Sequence, residues 1–221
     1  MADFEAISYR IRIGVTGHRK LDDPTAVEAL VKTAIDAEVE KLFPVESRRK
    51  IERVRQAGTT PISFSILSPL AEGADRTVAR AVLSYPDARL DVVLPLAVED
   101  YLEDFATEES RTEFEELLDR CRKPAFLCAR RIRDDRGDAS SQAELRKDAY
   151  AQVARYVVDH CDVLIAVWDG EPPRGRGGTA EIVQYAQEQN RPFLRVWKDT
   201  YEVLNRNNNH GLDASALVRG G

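Results

Sequence analysis

Three short stretches of this chain concentrate residue types that hold an anion or a sugar. They are Gly14, Thr16, Gly17, His18 and Arg19; then Ser68, Glu72, Gly73 and Asp75; then Asp169, Gly177, Gly178, Thr179 and Glu181. Glycine lets the backbone turn sharply and approach a ligand with no Cβ in the way. A hydroxyl residue at a helix start, such as Thr179, is placed to cap free N–H groups, and those groups with the helix dipole favour a phosphate. Arg19 adds a permanent positive charge. The carboxylates Glu72, Asp75, Asp169 and Glu181 can accept hydrogen bonds from ribose hydroxyls. A nucleotide or nucleotide-derived molecule combines both kinds of partner.

Each stretch must sit at a strand end for this chemistry to converge. Val163–Trp168 is a β-branched-rich apolar run that stops at Asp169-Gly170, and Ile182, Val183 and Ala186 then recur at helical spacing. Ile11, Ile13 and Val15 alternate in a first strand, followed by Asp23-Pro24 as cap and first helical position and by a helix through Leu42. Phe64, Ile66 and Leu67 form a second strand, and Val78, Ala79, Val82 and Leu83 mark the helix after it. Further strands are expected at 90–96, 124–129 and 192–197, with helical regions at 100–121 and 149–160. Residues 130–142 read as a charged surface loop, with a lid as the second reading. Residues 46–61 read as a solvated helix end, because acidic residues interrupt the basic ones and no aromatic platform accompanies them. Strands alternating with helices specify an α/β fold, a mostly parallel sheet with helices on both faces. In such a sheet the three polar stretches share one rim, beyond the carboxyl ends of the strands.

Composition limits the alternatives. With 221 residues and 43% hydrophobic content one large core is expected, in a single domain over 1–204 with a poorly ordered tail at 205–221. The balance of 32 basic and 38 acidic residues, net charge −6, supports no nucleic-acid partner. The three cysteines lack paired spacing and read as reduced thiols, and no apolar run is long enough for a membrane span, so a cytoplasmic location is expected. The three histidines show no i, i+4 pairing, and neither a metal nor a cofactor is expected. Gly175–Ala180 fits G-x-G-x-x-A formally, but too little chain follows for a dinucleotide dehydrogenase. Neither G-x-x-x-x-G-K-[ST] nor G-x-S-x-G occurs.

Plainer roles stand beside the ligand roles. Glu181 in a first helical turn complements the dipole whether or not it meets a ligand. His18 reads as a hydrogen-bonding loop residue before a catalytic base, His160 as a partner for the carbonyls of its own helix, and Trp168 as packing before base stacking.

Taken together, IGVTGHR at 13–19, SPLAEGADR at 68–76, VVLPL at 92–96 and DGEPPRGRGGTAEIV at 169–183 resemble the SLOG superfamily. This Rossmann-like group includes the Lonely Guy phosphoribohydrolases, Smf-related proteins and nucleotide sensors. The resemblance runs from about Ile11 to Val196. It implies a Rossmann-like three-layer sandwich and a pocket for an ADP-ribose-like molecule or nucleoside monophosphate, in a sensor of the bacterial signalling kind. Gly177, Gly178, Thr179 and Glu181 resemble the glycines, threonine and first glutamate of the Lonely Guy signature P-G-G-x-G-T-x-E-E. Here the glycines are spaced differently, and Ile182 stands at the second acidic position. A hydrolase of nucleoside 5′-monophosphates is therefore the alternative to a sensor, with Glu181 or Glu72 as its catalytic carboxylate. Homo-oligomers are common in the group, and a sensor would act through such an assembly or an effector protein.

Overall fold

The computed structural model describes residues 9–42, 62–121, 125–126, 139–172 and 178–204. In chain order these form β1 (Tyr9–Gly17), α1 (Pro24–Leu42), β2 (Ile62–Ser68), α2 (Ala74–Leu83), β3 (Arg89–Leu94), α3 (Val98–Leu102) and α4 (Glu108–Asp119). There follow β4 (Ala125–Phe126), α5 (Ala139–His160), β5 (Val163–Val167), α6 (Thr179–Glu188), β6 (Phe193–Trp197) and β7 (Thr200–Leu204). The strands make one sheet in the order β4-β3-β2-β1-β5-β6-β7. Every neighbouring pair is parallel except β6 with β7. Among the described residues no helix is long and apolar enough to cross a membrane.

The period-two alternation of the strands divides the core between two layers. Ile13, Val15, Phe64, Ile66, Ile165 and Val167 pack with α1, α2, α3 and α4 on one face. Leu164, Ala166 and Phe193 pack with α5 and α6 on the other. Gly14 belongs to this second face: a Cβ there would lie 2.8 Å from Val157 Cγ1 and 2.9 Å from Cys161 Sγ, so α5 lies directly on the strand. Burial pushes the Cys161 thiol up to about 12, which makes it a packing group. The result is a three-layer α/β/α sandwich of Rossmann-like form. β2 and β3 leave β1 on one side and β5 and β6 on the other, so the direction of winding reverses between β1 and β5.

Several expected boundaries move. The helical region at 100–121 is two helices, broken at 103–107, where Thr107 caps α4 by accepting from the Ser110 N–H at 3.2 Å. Residues 139–142, expected in a loop, are the first turn of α5, which begins ten residues before the expected 149. The ten residues, ASSQAELRKD, are mostly polar and only partly covered, so they show no apolar stripe. The antiparallel strand β7 was not expected at all. It follows a two-residue turn with Lys198 at φ +53 rather than a glycine signal. Of the strand expected at 124–129 only Ala125–Phe126 is described. The segments 46–61, 130–138 and 205–221 lie outside the described residues.

Candidate functional site

The loops after β1, β2 and β5 meet through His18. β1 ends at Gly17, where a Cβ would come within 2.5 Å of Ala74 Cβ and 2.7 Å of Val167 O, so α2 and β5 close on this position from both sides. The His18 N–H donates to Val167 O at 3.1 Å, and the His18 carbonyl accepts from the Ala74 N–H at 3.0 Å. Gly73, at φ +77, completes the contact: a Cβ there would lie 2.3 Å from Arg19 O. That glycine is required twice, by its left-handed backbone and by the main chain pressed against it.

The imidazole reaches the third loop. The Asp169 N–H donates to His18 Nε2 at 3.2 Å, and Asp169 Oδ1 lies 3.3 Å from the same nitrogen. A ring that accepts at Nε2 carries its proton on Nδ1, whereas a doubly protonated ring would donate from Nε2 to the carboxylate. The ring also sits edge-on to Trp197, with centroids 5.2 Å apart. Spacing alone identified no carboxylate partner for His18; the fold supplies Asp169.

Arg195, in the middle of β6, holds the loop after β5. Its Nε donates to Trp168 O at 3.3 Å and its Nη2 to Asp169 O at 3.1 Å, while Nη1 pairs with Glu202 at 3.5 Å. Gly170, at φ +86, leaves room for this side chain, since a Cβ would fall 2.6 Å from Arg195 Nη2. Asp169 Oδ1 accepts from the Glu171 N–H at 3.0 Å and Trp168 Nε1 donates to Glu171 O at 3.1 Å, which fixes the turn. An arginine inside the apolar run FLRVW is the signal that sequence reading passed over.

At the start of α6, Gly178 occupies the N-cap in an extended conformation and makes no side-chain capping bond. Thr179 is the first helical residue, so it does not take the expected cap position, and the first-turn N–H groups have no capping side chain from Gly178. Gly177 lies outside the described residues. Glu181 pairs with Arg155 of α5 at 3.0 Å. Glu72 accepts from the Ser110 hydroxyl and, at 3.4 Å, from the Ala106 N–H, so it ties its loop to the start of α4. Ser68 is fully buried and its hydroxyl accepts from the Leu70 N–H at 3.0 Å, supporting Leu70 in a left-handed conformation at φ +58. Gly14 is buried in the strand beneath α5, and Thr16 is half-buried near the end of β1.

Asp75, in the first turn of α2, is buried, and its Oδ2 accepts from the Ala71 N–H at 3.1 Å. Burial raises its pKa from 3.8 to about 7, against the opposing pull of the Ala71 bond and of Arg19 and Arg76. Arg76 beside it is almost wholly buried over the Phe105 ring at 4.4 Å; it donates from Nε to Leu70 O at 3.0 Å and from Nη1 to Ser110 O at 2.8 Å and Glu113 at 3.0 Å. Arg19 is exposed, with its guanidinium 5.1 Å from the centre of the Tyr150 ring. The Tyr150 hydroxyl donates to Asp104, which also accepts from Arg146 Nη1 at 3.0 Å. His160 bonds to Tyr156 O at 2.8 Å, as its place at a helix end predicts.

His18, Arg19, Gly73, Asp75 and Asp169 are thus one contiguous group at the rim between β1 and β5, with Thr179 opening the helix that leaves β5. Glu72 faces α4, and Glu181 faces α5. No protein-family model matches the chain, and no curated protein matches it.

Proposed function

We propose that this protein binds a nucleotide or nucleotide-derived ligand, of the ADP-ribose or nucleoside-monophosphate type, in the crevice between the ends of β1 and β5. It does so as a sensor, its output passing to a partner or a change of assembly. The observation that carries the reading is the coincidence at the winding reversal of three interlocked loops, a helix start whose N-cap is the side-chain-free Gly178 and the exposed Arg19. First-turn N–H groups of α6 and the Arg19 guanidinium would hold phosphate. The resemblance to SLOG sensors points to the same class of ligand.

Cleavage of the ligand is the weaker reading on a specific ground. Both carboxylates that could assist it have other partners, Glu181 in Arg155 and Glu72 in Ser110 and the Ala106 N–H. The test is incubation with nucleoside monophosphates, ADP-ribose and NAD, followed by chromatography and thermal unfolding of each mixture. The sensor reading expects intact ligand and raised stability, about 2.7 kcal/mol at 100 times the dissociation constant. It also expects Arg19→Ala to weaken the effect. Release of free base would replace the sensor with a hydrolase.

A further inference from the structure

On the β2–β3 side of the rim, four elements bring together polar groups that do not satisfy one another. Tyr101 of α3 is fully buried, and its hydroxyl has no hydrogen-bond partner among the described residues. Nη2 of the neighbouring Arg76 is likewise buried without one among these residues. The Tyr101 phenol lies within the electrostatic reach of Asp75, Arg19, Arg76 and Tyr150, and its ring centre is 5.9 Å from that of Tyr150. Asp75 accepts from the Ala71 main chain through Oδ2. Arg19 and the half-buried Tyr150 connect this group to the surface.

A buried hydroxyl left unpaired costs ~1–3 kcal/mol, so interiors rarely leave one beside a carboxyl group without an occupant. The chemistry of the missing partner is constrained. An apolar group would leave the hydroxyl unpaired, and an anion would compete with the Asp75 carboxyl for Arg19 and Arg76. A neutral diol meets both demands, since one hydroxyl can pair with the Asp75 carboxyl in either of its protonation states while its neighbour accepts from the phenol. Tyr101 is fully buried, and Arg19, over the ring of the neighbouring Tyr150, is the exposed side chain of the group.

We propose that Arg19, Asp75, Tyr101 and Tyr150 form a hydroxyl-recognising subsite that takes the ribose diol of the ligand, opened when Arg19 moves from the Tyr150 ring to the ligand's phosphate. This rests on the nucleotide reading above and assigns the sugar to Asp75 and Tyr101 rather than to Glu72 or Glu181. The test is titration of wild type and Tyr101→Phe with adenosine 5′-monophosphate and its 2′,3′-dideoxy analogue. Wild type should prefer the ribose form by about a hundredfold, about tenfold for each of the two hydroxyls. Tyr101→Phe should lose about tenfold of that preference, the share owed to the phenol, while binding the dideoxy form unchanged. Because it deletes only an unpaired hydroxyl, the variant should fold at least as stably as wild type in urea. If it does not fold, Asp75→Asn supplies the same comparison. Equal binding of both nucleotides by wild type, or an undiminished preference in the variant, would overturn the subsite and leave the nucleotide pocket standing. Failure of wild type to bind either nucleotide, or any other in the panel, would overturn the nucleotide reading and the subsite with it.

Discussion

A glycine whose absent side chain would strike main chain is harder to replace than one facing a flexible side chain, because backbone cannot rotate aside. Gly73 is of the first kind, at φ +77 with Arg19 O only 2.3 Å from a Cβ position. Gly73→Ala should therefore cost roughly 2 kcal/mol or more in urea unfolding, and a near-neutral result would mean that the first two loops do not interlock. Asp75 makes a prediction of a different kind. Its carboxyl ionises at about 7 in the folded chain against 3.8 ordinarily, so between those values the native state binds the extra proton. Its contribution to stability is full below about 4 and is lost as the pH rises through about 7. Asp75→Asn should remove this decline, read as the difference between urea midpoints at acidic and neutral pH. A slope equal to that of wild type would place the titration elsewhere.

At the scale of elements, the rim is held from behind. Arg195 on β6 fixes two carbonyls of the loop that follows β5, so Arg195→Ala should raise amide exchange across 168–172 and weaken ligand binding without disturbing β1. Exchange unchanged in that loop would show that the guanidinium merely fills space. The first crossover helix depends on its cap: Asp23 Oδ1 accepts from the Ala26 N–H at 2.9 Å, and Asp23→Ala should cost about 1 kcal/mol. The central strands were readable from the chain because runs such as Val163–Val167 are apolar on both faces, and the Asp23-Pro24 cap was readable because its chemistry is local. The first ten residues of α5 were not, since a polar, solvent-facing stretch carries no stripe. β7 was missed because its turn uses Lys198 in place of glycine. The three loops were legible as candidates, but their joining was not. The His18 contact with Asp169 spans 151 residues and the Tyr150 contact with Asp104 spans 46, so no local spacing encodes either.

For the whole molecule, the order β4-β3-β2-β1-β5-β6-β7 decides where binding can occur. Parallel strands direct all their carboxyl ends to one rim, and the winding reverses there between β1 and β5, which is where open α/β sheets bind their ligands. The account then requires a ligand to protect amides at this rim and to leave the opposite one unaffected. Hydrogen exchange with and without nucleoside monophosphates and ADP-ribose reads this directly. Protection across 17–23, 69–75 and 168–183, with 84–89 and 189–192 unchanged, is the predicted result. Protection confined to the opposite rim, or none with any nucleotide, would contradict the account.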